Sequence, residues 1–152
     1  MEEVLKLRFK RLSNKFKDIQ LPSYATKGSS GLDIRAAIDD DTLVPSGKIF
    51  LIPTNLSVEI PQGYELQVRP RSGLAVKNGI GILNSPGTID SDYRGEIKII
   101  LINLSEKDFV IHRGDRIAQM VLSKVYTAEI IEAKKLKKSK RGKGGFGHSG
   151  KD

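Results

Sequence analysis

Leu56-Ser57-Val58-Glu59-Ile60-Pro61-Gln62-Gly63-Tyr64-Glu65-Leu66-Gln67-Val68-Arg69 contains two runs of alternating apolar and polar residues, divided by a Pro-Gln-Gly turn. A period of two sends successive side chains to opposite faces of a strand, so each run offers one apolar face to a core. Proline fixes the backbone and glycine frees it, which suits a reversal between them. The same grammar extends outward. Val4-Leu5-Lys6-Leu7-Arg8-Phe9 alternates as well. Lys48-Ile49-Phe50-Leu51-Ile52 and Ile97-Lys98-Ile99-Ile100-Leu101-Ile102 are rich in β-branched residues, and 117–122 and 125–131 add two further strand candidates. Turn signals fall between them at Pro45-Ser46-Gly47, Asn78-Gly79, Ser85-Pro86-Gly87, Arg94-Gly95 and Arg113-Gly114-Asp115. Short strands at this spacing, without sustained helical periodicity, predict an all-β sandwich or barrel. One short helix is expected over 72–77, just after Pro70.

The chain has 152 residues, one domain by length, and 38% hydrophobic residues, enough for a real core. It has no cysteine, which excludes disulfides, zinc thiolate sites and thiol nucleophiles. Met1-Glu2-Glu3 places acids where a signal peptide carries cations, and the longest apolar run is far too short to span a bilayer, so a soluble cytoplasmic protein is expected. Charge is unevenly spread. Between Lys134 and Asp152 stand eight Lys or Arg and one acid, net +7, which leaves +1 for residues 1–133 out of the total of +8. The division expected is a β domain over 1–133 and a basic, glycine-rich, flexible arm over 134–152.

Four segments carry more chemistry than packing requires, and the arm is a fifth. Pro70-Arg71-Ser72-Gly73-Leu74-Ala75 sets Arg, Ser and Gly at a helix start, where free N–H groups face anions; an ordinary N-cap beside a solvated Arg is the plainer reading. Gly87-Thr88-Ile89-Asp90-Ser91-Asp92-Tyr93-Arg94-Gly95-Glu96 reads as a hairpin whose tip carries two aspartates and a tyrosine. Asp90, next to an apolar strand end, is expected to be partly sheltered and able to accept a proton from water; turn aspartates also commonly serve only to satisfy amides. Asp33, in Gly31-Leu32-Asp33-Ile34-Arg35-Ala36, suits a solvated strand face, an ion pair or a metal-water ligand. Gly114-Asp115-Arg116-Ile117-Ala118-Gln119 poses the same question for Arg116 and Gln119. In the arm, Arg141-Gly142-Lys143-Gly144-Gly145-Phe146-Gly147 joins cations for phosphate, glycines for close approach and a ring for a base. It does not match a P-loop, and His112 and His148 have no neighbouring ligands that would make a zinc site.

In order and spacing, these five segments resemble the five motifs of the homotrimeric deoxyuridine triphosphatases (dUTP pyrophosphatases, or dUTPases), across essentially the whole chain. The resemblance implies a jelly-roll β fold and a trimer, with three active sites assembled from loops of neighbouring subunits and the arm of another. Thirteen residues from Lys134 to Phe146 reach at most about 43–47 Å when extended, enough for that span. It also implies hydrolysis of dUTP to dUMP and pyrophosphate, which keeps uracil out of DNA and supplies dUMP for dTTP synthesis. Asp90 would be the general base that aims a water at the α-phosphorus. Mg2+ would be held mainly by the phosphates, with Asp33 reaching it indirectly through water. Uracil would lie in the hairpin from Asn84 to Lys98, read by Asn84 and by main chain near Thr88, Ile89 and Lys98. Tyr93 would pack on the deoxyribose and exclude a 2′-hydroxyl. Arg71, Ser72 and Gly73 would grip the inner phosphates, Arg116 and Gln119 would support the phosphate chain, Arg141 would neutralise the γ-phosphate, and Phe146 would close over uracil. No membrane and no stable nucleic-acid partner is implied.

Three other readings compete. The dCTP deaminases share the fold but act at cytosine C4, and no deaminase signature is found. A nucleic-acid binder would need exposed aromatics, yet only 6% of residues are aromatic and the body is close to neutral. A purely structural jelly roll leaves the glycine arm without a purpose.

Overall fold

The computed structural model describes residues 4–146. Its strands, all paired antiparallel, are β1 (Arg8–Arg11), β2 (Ser23–Tyr24), β3 (Gly31–Arg35), β4 (Thr42–Val44), β5 (Ile49–Pro53), β6 (Leu56–Glu59), β7 (Tyr64–Arg69), β8 (Ile80–Ile82), β9 (Gly87–Ile89), β10 (Lys98–Asn103), β11 (Phe109–Ile111) and β12 (Arg116–Lys124). The helix α1 spans Ser72–Asn78. The largest sheet runs β2-β3-β12-β7-β9; β5-β10-β8, β1-β6 and β11-β4 complete the structure. This is the all-β jelly roll expected, with its short helix where the sequence put it.

Alternation builds the core. In β7, Leu66 and Val68 are buried while Glu65 and Gln67, which alternate with them, are half-buried. In β10, Ile99 and Leu101 point inward, alternating with half-buried Ile100 and Ile102. Ile34, Val44, Val58, Ile111, Ile117 and Met120 join them in one cluster. Each such aliphatic side chain stabilises the fold by about 1.5–3 kcal/mol relative to exposure. The fully buried Asn103 is satisfied on both sides. Its Nδ2 donates to Val44 O (2.9 Å) and Lys107 O (2.8 Å), and its Oδ1 accepts from Ser105 N (3.0 Å) and Ser105 Oγ (2.8 Å).

Three expectations change. The strand expected from Val4 begins at Arg8, because its partner β6 offers only four residues, Leu56 to Glu59. The run 125–131 forms no strand: after Val125 N bonds Gly63 O (2.8 Å), no edge of the protomer pairs with it, and Ile130 and Ile131 are exposed. The hairpin expected between Asn84 and Lys98 is a crossover between sheets. β9 pairs with β7, and β10 with β5 and β8. Ile97 is held on the β10 side, its N–H donating to Leu56 O (2.8 Å) and its carbonyl accepting from Thr54 Oγ1 (2.6 Å).

Candidate active site

Two clusters collect most of the residues singled out in the sequence, Asn84, Arg141 and Phe146 apart. The first forms where β3, β12 and the β7–α1 turn meet. Register places Gln119 opposite both Asp33 on β3 and Arg69 on β7. Between Arg116 and Ala118 the β3–β12 ladder shifts, so that Arg116 pairs with Arg35 and Ala118 with Ile34. A strict alternation would turn Arg116 to the face opposite Gln119; the extra residue, Ile117, returns it to the face of Asp33. Arg116 Nη1 then donates to Asp33 Oδ2, and Arg71 Nε donates to Asp33 Oδ1, each at 3.1 Å. Asp33 is 15% exposed, so the charge that the sequence left open is an ion pair with two arginines. Two guanidinium groups on one carboxylate leave a net positive cluster, and Arg71 and Arg116 line a crevice of about 230 Å3 with Leu74, Phe109, Asp115 and Ile117.

Helix α1 opens directly behind this pair. Arg71 occupies the cap position with an extended backbone and makes no side-chain cap bond; Ser72 is the first helical residue and is exposed. A Cβ on Gly73 would meet nothing within 4 Å, so the first turn faces open space. Gln119 Nε2 donates to Pro70 O at 2.9 Å and fixes the turn that presents these residues.

The second cluster is the crossover itself. Thr88, Ile89, Asp90, Tyr93 and Lys98 line one crevice of about 440 Å3 together with Leu51, Glu96 and Ile97. Tyr93 Oη donates to Glu96 O (2.9 Å), and Arg94 Nη1 donates to Ser91 O (2.7 Å), which draws the crossover tight. Lys98 Nζ lies 3.7 Å from Glu96 Oε2, while Glu96 Oε1 accepts Asn55 N (2.9 Å). The shelter expected for Asp90 is not found in the protomer: Asp90 is exposed, because it is the first residue beyond β9 and stands at the rim. Asn84 is outside this lining; its amide sits beside Gly87, 3.1 Å from where a Cβ would stand.

The two crevices share no residue, and neither is lined by the arm. Arg141 Nε donates to Gly144 O within the arm, and Phe146 is fully exposed. Gly147, which ends the fifth motif, and His148 lie outside the described residues.

A dUTPase family model matches residues 17–150. The chain belongs to the dUTPase family. A deoxyuridine 5′-triphosphate nucleotidohydrolase of Neorickettsia sennetsu is 54% identical over 134 residues, which cover 88% of this chain and 90% of that protein. One from a Hydrogenobaculum species is 52% identical over 146 residues, covering 96% and 99%. Among solved structures, a mutant dUTPase of Staphylococcus bacteriophage 80alpha with dUpNHpp superposes with a TM-score of 0.84 at 26% identity, covering 95% of this chain and 98% of that one. A mutant dUTPase of phage phi11 of S. aureus, described for its structural Mg(II) ion, shares the fold with a TM-score of 0.76 at 23% identity, covering 88% and 99%.

The resemblance noted from the sequence also calls for Mg2+, so the side chains that could hold a divalent cation matter. Among the described residues no three or more His, Cys, Asp or Glu side chains converge. Both oxygens of Asp33 are engaged by arginines. Such a donor set offers no cage of its own. No helix among the described residues is long and apolar enough to cross a membrane.

Sequence reasoning quoted Glu96, Leu51, Gly31 and Gly95 but gave none of them a role in the site. Leu51 carried no signal, because its exposure depends on sheet pairing. The two glycines did carry one: glycine in a strand or tight crossing marks a close approach.

Proposed function

We propose that this dUTPase-family chain is a dUTP diphosphatase that hydrolyses dUTP to dUMP and pyrophosphate, with Asp90 directing water at the α-phosphorus. The observation that carries the reading is the crevice in which Thr88, Ile89, Asp90, Tyr93 and Lys98 stand together. Main chain at Thr88 and Ile89, with Lys98 and Asn84 at the edges, reads uracil. Tyr93 forms the deoxyribose wall. An ionised Asp90 at the rim accepts the water proton as the oxygen attacks; the bond to the bridging oxygen breaks and pyrophosphate leaves.

The Asp33–Arg71–Arg116 cluster supplies the phosphate side, with Ser72 and Gly73 at the open turn of α1 and Gln119 bracing Pro70. This cluster and the Asp90 crevice share no lining residue; membership of the dUTPase family supports a homotrimer in which neighbouring copies complete each site. Residues 134–152 act as a separate arm on the 1–133 domain: Arg141 meets the γ-phosphate and Phe146 covers uracil, which excludes water and strengthens each phosphate contact. Mg2+, held mainly by the phosphates, would supply charge neutralisation for the leaving group, and Asp33, beside its two arginines, would reach it only through one of its waters. The enzyme acts in the cytoplasm on a free nucleotide, without a stable nucleic-acid partner.

The test is a product assay across the deoxynucleoside triphosphates and UTP, with and without Mg2+, in isotopically labelled water. dUTP alone turning over quickly, with the label in dUMP, supports the reading. Label in pyrophosphate contradicts attack at the α-phosphorus, and ammonia release from dCTP identifies a deaminase.

A further inference from the structure

Gly95 has no left-handed backbone to explain it: among the described residues the glycines with positive φ are Gly47, Gly63, Gly79, Gly114 and Gly142. What occupies the space at its Cα is the ring of Tyr93. A Cβ at Gly95 would stand 2.3 Å from Tyr93 Oη, 2.5 Å from Cζ and 2.8 Å from Cε2. Ordinary van der Waals contact begins near 3.4 Å, so no side chain fits while the ring is there. The far end of the ring is tied by Oη donating to Glu96 O at 2.9 Å. The ring is therefore folded back across Gly95, and in that position it lines the crevice with Asp90 and Lys98.

We infer that Gly95 is a specificity-determining position: it admits the Tyr93 ring to the one placement in which that ring walls off the sugar. The inference rests on the reading of Tyr93 as the deoxyribose wall. Alanine at 95 displaces the ring, because the atoms it meets are the far end of a half-exposed side chain held there by one hydrogen bond. The displaced ring loses Glu96 O and swings outward. The space it leaves admits a 2′-hydroxyl, and discrimination between dUTP and UTP falls. Glycine here acts through another residue, so Gly95 is a positioning residue and not a catalytic one.

The experiment compares kcat/KM for dUTP and UTP in wild type, Gly95→Ala, Tyr93→Ala, the double variant and Tyr93→Phe, with thermal melts as the control for folding. Both single alanine variants are expected to lower the dUTP-to-UTP ratio at least about tenfold. The double variant should match Tyr93→Ala, because without the ring the added methyl displaces nothing. Tyr93→Phe, which keeps the ring and removes its tie, lowers the ratio by a smaller factor. A Gly95→Ala ratio like wild type, beside a relaxed Tyr93→Ala, overturns the inference and leaves the sugar-wall reading intact. An unchanged ratio in Tyr93→Ala overturns both. A further loss in the double variant overturns the route through Tyr93. Should Gly95→Ala fail to fold, Tyr93→Phe decides, and an unchanged ratio there counts against the inference.

Discussion

Gly31 lies beneath the side chain of Gln119, so closely that a Cβ at position 31 would come within 2.3 Å of Gln119 Oε1. Its φ is not positive, so the glycine serves the neighbour and not the backbone. Gly31→Ala should push Gln119 aside and break its bond to Pro70 O. That bond is worth about 0.5–1.5 kcal/mol, and losing it loosens the turn carrying Arg71. Steady-state kinetics should show kcat/KM for dUTP reduced by about tenfold, or ~1.4 kcal/mol. In a Gln119→Ala background the same change should add little, since only the 3.1 Å approach to the Cβ at 119 remains; an additional loss of about tenfold there means that Gly31 acts by another route.

Asp33 aligns two arginines that carry the same charge. In Asp33→Asn one oxygen becomes an NH2 donor and the carboxylate charge is gone, so Arg71 and Arg116 repel and separate. Misplacement of groups by about an ångström can cost about a hundredfold, and a loss in kcat/KM of that order is expected. A crystal structure of the variant should show at least one guanidinium turned away. Wild-type kinetics with both arginines in place would refute this role.

Deleting residues 141–152 should leave the body intact, because the side-chain bond of Arg141 stays within the arm and Phe146 is fully exposed. Melting temperature and oligomeric state should match the full chain, while kcat/KM for dUTP falls at least about a hundredfold. Full turnover by the truncated protein would rule out closure by the arm.

His112 Nδ1 lies 2.9 Å from Asp41 Oδ1, and that bonded carboxylate holds the imidazole pKa above its ordinary value of 6.5, with Asp115 adding to the effect. The sign follows from linkage: a raised folded pKa stabilises the protein fully below 6.5, and the contribution is lost as pH rises through the folded value. The pair is solvent-exposed, so the effect on stability is small. NMR titration should give a His112 midpoint above that of an unpaired histidine, and Asp41→Asn should bring it down. An unmoved midpoint in Asp41→Asn would show that the pair does not form in solution.

Much of the fold was legible because alternation is a local signal. β5, β6, β7, β10 and β12 were all anticipated, as was α1. The short strands β2, β4, β8 and β11 were not, since two or three residues carry too little periodicity to stand out. The run 125–131 misled for the opposite reason: it has strand composition but no partner edge within the protomer. In the site, residue types pointed to phosphate and base chemistry, yet the pairing of Asp33 with Arg116 depends on a bulge at Ile117 that sequence spacing does not reveal. Asp90 was expected to be sheltered and is exposed, because shelter depends on what stands across the crevice and not on its chain neighbours.

The most direct test of the account is Asp90→Asn, read by two measurements on one preparation: dUTP affinity by calorimetry and single-turnover hydrolysis. The shape and hydrogen-bonding size of the side chain are kept while its capacity to take a proton is removed. Affinity within about threefold of wild type, with the hydrolysis rate down by about 10²–10⁴, is the predicted result. Hydrolysis at the wild-type rate, or loss of dUTP binding with the fold intact, would contradict the assignment of Asp90 as the group that activates water.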